Sequence, residues 1–311
     1  MALELEQYKE MVKKERDLFF KSSFERAYQA FCELEFQHKD SAYFELNASE
    51  CIEQLREQCF NDFLVEERLF TVNMLKKLAN SLNYDNMTAE EAISSYVAAY
   101  PEHIYQLCLS NTQSRRSRAG KEFEHLIELV LIGANVPFDS QGNIGKDSFV
   151  EKGLGKLVDT VSPGVIEFDI NKRNCVLISA KTTLRERWQE VPEEMGRTGA
   201  REMFLATIDE KVSQNVLDTL YEANIQLTTT KRNKQEHYPN NPRVLTFEEL
   251  ISICKNSWSS WSTYDYSAEQ SEQATQMIRL QMQKHIEHPY VQDYLSNRLS
   301  AYAQRINEEL R

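Results

Sequence analysis

The 311-residue sequence lacks long hydrophobic runs, and its N-terminal stretch lacks the apolar centre of a signal peptide. A membrane-spanning helix needs roughly 20 consecutive apolar residues, and a secretion signal needs an apolar stretch after a basic start. We therefore expect a cytoplasmic protein without a membrane segment. A chain of this length can bury a full core in one large or two small domains.

Cysteine pairs are missing as well. The six cysteines are scattered along the chain, and no two of them form a Cys-x-x-Cys pair. A zinc site and a disulfide framework are therefore not expected, and the thiols are interpreted as free and buried.

Positive charge is scarce, since 36 Lys and Arg against 48 Asp and Glu give a net charge of −12. This deficit argues against a nucleic-acid partner, because neutralising phosphates supplies most of the non-specific affinity. The deficit is uneven, however: Asn111 to Arg201 contain 14 basic and 13 acidic residues, whereas the rest contains 22 basic and 35 acidic residues. A basic cleft within an acidic exterior would bind DNA while ignoring most bulk sequence.

Glycine is absent before Gly120, and all nine glycines lie between Gly120 and Gly199. Tight turns and close backbone approaches favour glycine, so this region is predicted to hold the sheet and the catalytic centre. Three parts are expected: a helical N-terminal region at 1–110, a catalytic core at 111–256, and a C-terminal linker with helices at 257–311.

The N-terminal region shows helical spacing of apolar residues and faces rich in Lys and Glu. Thr88 and Glu91 have the spacing of a capping box that starts a helix, and Tyr100-Pro101 should end that helix. Near the other end, one or two terminal helices are expected with a break at Pro289.

In the core, β-rich and helical segments alternate, which predicts an α/β fold with a mixed central sheet flanked by helices. Val165–Ile170 and Cys175–Ala180 are predicted to form a hairpin around a polar turn. Further strands are expected at 203–208, 225–229 and 244–247, with helices at 212–223 and 248–256 and a loop at 230–243.

Asp159, Lys181 and Glu194 carry the chemical signal. Asp159 precedes the first predicted hairpin strand, Lys181 ends the second, and Glu194 lies in the helical pattern that follows. A hard divalent cation needs anionic oxygens, and a phosphodiester under attack needs a nearby cation. The pattern predicts a metal-dependent phosphodiesterase, although spacing alone also fits a solvated helix face beside a surface lysine.

Two longer motifs are more specific, SRRSRAGKEFE at 114–124 and SAKTTLRERW at 179–188. With them the chain resembles the type II restriction endonucleases of the EcoRII, SsoII and PspGI group, which have a rearranged PD-(D/E)xK active site. The resemblance covers Gln113 to about Asp209 and extends weakly into the N-terminal helices.

The resemblance implies a Mg²⁺ site formed by Asp159 and Glu194, with Glu124 adding a carboxylate to the same or a second ion. Lys181 would orient the attacking water and contact the scissile phosphate. Ser179 stands where the superfamily usually has a second acid on the strand, so Glu194 on the helix must replace it.

A second implied site is the triplet Arg185, Glu186 and Arg187. An arginine fork fits guanine O6 and N7, and a glutamate accepts from cytosine N4. In the resembling enzymes this triplet reads the outer C·G pairs, which implies the target 5′-CCNGG or 5′-CCWGG. The structural alternative is an ordinary charged helix start.

A five-base-pair target has a central pair that a two-fold homodimer cannot treat symmetrically. The resembling enzymes flip both central bases out of the helix, which requires a pocket. Arg56 and Phe60, four residues apart, align with that pocket, and Gln113 aligns with the residue that fills the vacated centre. Phe60 could instead be an ordinary core residue.

Arg115, Arg116, Arg118 and Lys121 are expected to contact phosphates without reading sequence; a solvated face is the alternative. The resemblance implies a homodimeric enzyme acting on double-stranded DNA, with a cognate DNA methyltransferase in the same system but no stable complex with it. Two other functions stay open: a less specific repair or recombination nuclease, and a non-catalytic DNA-binding protein.

Overall fold

The computed structural model describes residues 3–185 and 187–309, without the side chains of Arg187 and of residues 303–309. The described chain forms two compact units. Unit 1 consists of the residues up to Ala30 together with Arg56–Glu122, and unit 2 consists of Phe31–Leu55 and the residues from Phe123 onward. These units do not follow boundaries at 110 and 256, so the three-part division stays a prediction.

Every regular element of unit 1 in the described chain is a helix or a part of one. The helices that contribute to it are α1 (Leu5–Phe19), α2 (Ser23–Glu33), α3 (Ser41–Ala79), α4 (Ala89–Ala99) and α5 (Pro101–Gly133). Their apolar faces enclose a buried cluster that includes Tyr8, Phe20, Phe63, Phe70 and Tyr100. The helical N-terminal region predicted from the sequence is thus confirmed.

The predicted capping box is also present at the start of α4. The Thr88 side chain accepts from the Glu91 backbone N–H at 3.3 Å, and the Glu91 carboxylate accepts from the Thr88 N–H at 2.8 Å. The helix ends at Ala99, and α5 begins at Pro101. Proline fits the first turn of a helix because its missing N–H would have no partner there.

Unit 2 contains a six-stranded sheet in which the strands follow one another in chain order. The strands are β1 (Asp139–Ser140), β2 (Thr160–Ser162), β3 (Val176–Lys181), β4 (Met203–Thr207), β5 (Ile225–Thr229) and β6 (Val244–Thr246). The pairs β1–β2 and β2–β3 are antiparallel, and the pairs from β3 to β6 are parallel. The mixed sheet confirms the predicted α/β class.

Helices connect and flank these strands. They are α6 (Gln141–Ile144), α7 (Lys146–Glu151), α8 (Val165–Ile170), α9 (Glu190–Thr198), α10 (Gln214–Glu222), α11 (Lys231–His237), α12 (Phe247–Ser260), α13 (Ala268–Lys284) and α14 (Pro289–Glu309). None of the helices in the described chain has the length and hydrophobicity that crossing a bilayer requires.

The predicted hairpin is wrong, because Val165–Ile170 is helix α8 and the antiparallel partner of β3 is β2. Consecutive residues of α8 are buried, including Glu167, whose carboxylate accepts from the Tyr266 hydroxyl at 2.7 Å. Four consecutive buried residues, Val165 to Phe168, show neither helical nor strand periodicity. Sequence pattern alone could not distinguish the two structures here.

Two segments expected to be irregular are ordered. The predicted loop at 230–243 contains α11, whose start is capped by the Thr230 side chain. The predicted linker begins inside α12, and Trp261 and Tyr266 within it are each 3 % exposed. The predicted break near Pro289 is confirmed, since α13 ends at Lys284 and α14 begins at Pro289.

A buried ion pair joins α14 to the edge strand β1. Arg298 lies 2.9 Å from Asp139, and their side chains are 5 % and 3 % exposed. Arg298 also donates to the Pro163 carbonyl at 3.0 Å, and Gln281 of α13 donates to Asp139 at 2.8 Å. Each hydrogen bond lowers the cost of burying the two charges.

Candidate active site

Asp159 and Lys181 meet at the end of β3. The Lys181 ammonium lies 3.1 Å from Asp159 Oδ2 and 3.0 Å from the Ala180 carbonyl oxygen. The Ala180 backbone N–H donates to the same Asp159 oxygen at 2.7 Å. The two side chains are 12 % and 8 % exposed. The structure brings these residues together as the sequence predicts, and their roles stay proposals.

The backbone around Asp159 is fixed on both sides. The Asp159 N–H donates to the Ile178 carbonyl of β3 at 2.9 Å, and the Gln141 N–H donates to the Asp159 carbonyl at 2.9 Å. Asp159 therefore continues the pairing of β2 with β3, just outside the strand itself. This pairing places its carboxylate beside the end of β3, where the chain passes from Ala180 to Lys181.

Glu124 on α5 contributes a second carboxyl group. Burial, and then the negative charge of Asp159, raise the pKa of Glu124 to about 7, although Lys181 opposes this rise. The pKa of Asp159 is also raised, mainly by burial, against the opposing effect of Lys181. When both acids are ionised, they are poorly hydrated and repel each other. A bound cation would stabilise both carboxylates.

Sequence reasoning missed the pair His125 and Glu128, which lies on the same helix. His125 Nδ1 is 3.0 Å from the Glu128 carboxylate. Burial opposes ionisation of Glu128, but the charge and hydrogen bond of His125 outweigh it and lower the pKa of Glu128. Its negative charge in turn raises the pKa of Glu124. The four-residue spacing of Glu124 and Glu128 is the signal that indicates a shared helix face.

Glu194 lies on α9, as the helical pattern predicts, and is 8 % exposed. Its carboxylate lies against the backbone of Gly155, in the loop that leads from α7 into Asp159. A side-chain nitrogen of Arg197 lies 4.0 Å from it. Arg197 is 67 % exposed and pairs mainly with Glu193, so it neutralises Glu194 only weakly.

The described residues do not include three or more His, Cys, Asp or Glu side chains already grouped as a metal site. The donor set nevertheless suits a hard cation, because Asp159 and Glu124 supply anionic oxygen in a poorly hydrated setting. Glu194 would add a third carboxylate from α9.

The predicted reading triplet follows β3 in a loop that is fixed at Leu184. The Leu184 N–H donates to the Asp209 carboxylate at 2.6 Å, and the Leu184 side chain is 2 % exposed. The next residue, Arg185, is exposed and has a positive φ of 39°. Glu186 and the Arg187 side chain lie outside the described residues.

The candidate base-pocket residues Arg56 and Phe60 share helix α3, and both are exposed. Phe60 is 49 % exposed, so the alternative that it is an ordinary core residue is wrong. Gln113 is exposed on α5. These side chains are accessible to a partner, as a contact role requires.

The three arginines among the candidate phosphate contacts differ in their surroundings. Arg115 forms an ion pair with Glu67, whose side chain is 8 % exposed. Arg118 donates to the Lys21 carbonyl at 2.8 Å and lies 4.7 Å from the centre of the Phe20 ring. Arg116 is exposed. Arg115 and Arg118 are therefore partly engaged within unit 1, and Arg116 is the most accessible of the three.

Comparison with known proteins gives consistent results. The family model for the EcoRII C terminal matches residues 82–251. Type II restriction enzyme SsoII of Shigella sonnei is 47% identical over 295 residues, covering 95% of this chain and 97% of that protein.

Solved structures are similar too. Metal-depleted Ecl18kI in complex with uncleaved DNA has a TM-score of 0.88 and 46% identity, covering 96% of this chain and 100% of that chain. The complex of restriction endonuclease PspGI with substrate DNA has a TM-score of 0.53 and 16% identity, covering 78% and 94%. At that identity the second likeness is one of fold alone.

Proposed function

This chain belongs to the EcoRII C-terminal family of type II restriction endonucleases, and we propose that it cuts double-stranded DNA at 5′-CCNGG or 5′-CCWGG. As a restriction enzyme of the SsoII and Ecl18kI kind, it is a site-specific deoxyribonuclease. The target sequence, the metal and the treatment of the central base pair are the parts that we infer.

The observation that carries the proposal is the contact between Lys181 and Asp159. An ammonium fixed by Asp159 and by the Ala180 carbonyl can hold a water molecule and offset the charge that develops on a phosphate. Its position is set by β3, and strands are rigid supports for a catalytic group. A surface lysine on a solvated face would have neither the burial nor the two partners.

Enzymes of this type need a divalent metal, and we infer Mg²⁺ held by Asp159, Glu194 and Glu124. Bound there, the ion would act as a Lewis acid on the phosphate and lower the pKa of its water. The raised pKa of Glu124 supports this inference, because a cation would relieve the repulsion between its charge and that of Asp159.

DNA recognition is assigned to Arg185, Glu186 and Arg187. The similar protein Ecl18kI, at 46% identity, has been solved in complex with DNA, which supports double-stranded DNA as the substrate. Arg185 is exposed next to the buried anchor Leu184. An exposed arginine next to a fixed residue is suited to reading the edges of bases in the major groove.

We further infer a homodimer that flips the central bases. A palindromic target matches a two-fold symmetric protein, and the exposed Arg56 and Phe60 would sandwich each flipped base, with Gln113 filling the gap. Placing 2-aminopurine at the central position tests this: its fluorescence should rise on binding, and unchanged fluorescence would contradict flipping.

A cognate DNA methyltransferase and a cytoplasmic location are expected from the restriction function.

Digestion of plasmid DNA with the purified protein and Mg²⁺ tests the whole proposal. Discrete fragments whose sequenced ends lie at 5′-CCNGG or 5′-CCWGG are the expected result. A smear of fragments would indicate a less specific nuclease instead. Absence of cutting would indicate a protein that binds DNA without cleaving it.

A further inference from the structure

Gly155 lies in the loop between α7 and β2, four residues before Asp159. It does not adopt the left-handed backbone conformation, so an alanine could take its φ without strain. Backbone conformation therefore gives no reason for glycine at this position. The space around Gly155, and not its backbone conformation, excludes a side chain here.

That space is taken by Glu194. A Cβ atom added at Gly155 would lie 1.3 Å from Glu194 Oε1, 2.1 Å from Cδ and 2.6 Å from Cγ. All three of these nearest atoms belong to the Glu194 side chain. Since non-bonded heavy atoms need more than about 3 Å, the carboxylate would have to move by roughly 2 Å.

The loop cannot easily move away from the helix. On one side of Gly155, the fully buried Leu154 donates its N–H to the Phe149 carbonyl at 2.9 Å. On the other side, Val158 is fully buried and Asp159 is paired with β3.

Helix α9 is fixed as well, because Val191 and Thr198 on the Glu194 face are fully buried. The end of the Glu194 side chain is then the part that is free to yield. A methyl group at position 155 should displace this carboxylate while leaving the fold in place.

We propose that Gly155 is a positioning residue for Glu194, and that the missing side chain at 155 lets this carboxylate occupy its place beside the loop into Asp159. The inference rests on the proposed role of Glu194 as a metal ligand. A metal ligand has to be held within about 0.5 Å of its working position, and a shift of 2 Å exceeds that tolerance. Gly155→Ala should therefore weaken metal binding without unfolding the protein.

The test uses the full-length protein with Lys181→Ala, which should slow cleavage about 10²- to 10³-fold and leave the three carboxylates in place. Binding of Mn²⁺ to its complex with a cognate duplex is measured by the paramagnetic signal of the free ion. Gly155→Ala should lower the Mn²⁺ affinity about 10- to 100-fold, the usual effect of disturbing the support of a metal ligand. Gly196→Ala is the matched control, because a Cβ on this other α9 glycine meets nothing within 4 Å.

Equal affinity of Gly155→Ala and Gly196→Ala would overturn the inference. Glu194→Gln separates this failure from failure of the proposed function. If Glu194→Gln weakens Mn²⁺ binding but Gly155→Ala does not, only the role of Gly155 is wrong. If Glu194→Gln has no effect, the ligand assignment fails, and the inference fails with it.

Thermal unfolding covers the case in which Gly155→Ala does not fold. Shortening the side chain in Gly155→Ala/Glu194→Ala removes the atoms that the methyl group would meet. Recovery of the melting temperature in this double variant would show that the contact with Glu194 is the cause. A double variant that stays unfolded would show that the loop itself rejects a side chain, which contradicts the proposal.

Discussion

Units 1 and 2 hold their candidate functional residues in opposite environments. In unit 2 the side chains of Asp159 and Lys181 are 12 % and 8 % exposed, and each has fixed partners. In unit 1 the side chain of Arg115 is 50 % exposed, Phe60 is 49 % exposed, and Arg56 is exposed too. Chemistry on a phosphate needs oriented, partly dehydrated groups, whereas contact with a large partner needs accessible ones.

Exposure thus separates the proposed catalytic residues from the proposed contact residues, where residue type does not. Arg185 tests whether exposure or the unit of the fold is the better guide, since it belongs to unit 2 and yet is exposed. If exposure is the better guide, Arg185 should behave as a contact residue although it lies only four residues after Lys181, the last residue of β3.

Lys181→Ala should have the largest effect. Removing a preorganised donor of this kind costs about 10²- to 10³-fold in rate, while the exposed contact residues are untouched. We expect single-turnover cleavage in Mg²⁺ to fall by that factor and cognate binding in Ca²⁺ to be unchanged. A variant that cuts within tenfold of the wild-type rate would break the division between the two environments.

Arg185→Ala should come next, with an effect on specificity. One good arginine–guanine pair contributes about 1 to 3 kcal/mol of discrimination. The ratio of cleavage at the cognate site to cleavage at sites altered in an outer C·G pair should therefore fall about 5- to 150-fold. An equal loss at every sequence, without a change in preference, would show that Arg185 does not read bases.

Glu124→Gln should change the pH dependence of stability. The pKa of Glu124 is about 7 in the folded protein against a usual value of 4.5, so the unfolded chain loses this proton first as the pH rises. The free energy of unfolding of the metal-free protein therefore falls as the pH rises from 4.5 to about 7. Glutamine at position 124 has no proton to lose, so the variant does not show this fall. The gain in free energy of unfolding for Glu124→Gln should be about 2 kcal/mol larger at pH 8 than at pH 5.

Urea unfolding in EDTA measures this difference. An equal gain at the two pH values would mean that Glu124 is not strained by ionisation. With added Mg²⁺ at pH 8, the wild-type protein should become more stable than Glu124→Gln, because the ion stabilises the carboxylate and not the amide.

The smallest effect is expected for Arg116→Ala. Loss of one phosphate contact should weaken DNA binding less than about tenfold at all sequences and lower the salt dependence by about one counterion. Arg115→Ala is the informative contrast, since it also leaves the buried Glu67 carboxylate without its cation. Arg115→Ala should therefore lower the melting temperature, and Arg116→Ala should not.

The parts of the fold that could be predicted are those with a distinct local pattern. β-branched and apolar runs bounded by polar residues indicated β4, β5 and β6, and Thr88 with Glu91 indicated the start of α4. The strand predicted at Val165–Ile170 is wrong because its four consecutive buried residues, Val165 to Phe168, show neither helical nor strand periodicity.

The candidate site was predictable only in part, for a similar reason. The spacing of Asp159 and Lys181 relative to strands indicates that they can meet, and the structure shows that they do. The contact of Glu194 with Gly155 joins two segments about 40 residues apart, so no local pattern encodes it. The pair His125 and Glu128 could not be predicted from the sequence, because the sequence does not show which side of α5 is buried.

The ion pair between Asp139 and Arg298 also bears on how the enzyme is made. A buried carboxylate deprived of its cation costs about 3 to 5 kcal/mol, so β1 gains its full stability only after residue 298 has left the ribosome. β1 pairs with β2, and β2 begins directly after Asp159. The strand pairing next to the proposed active site therefore reaches its full stability only when nearly the whole chain has been synthesised.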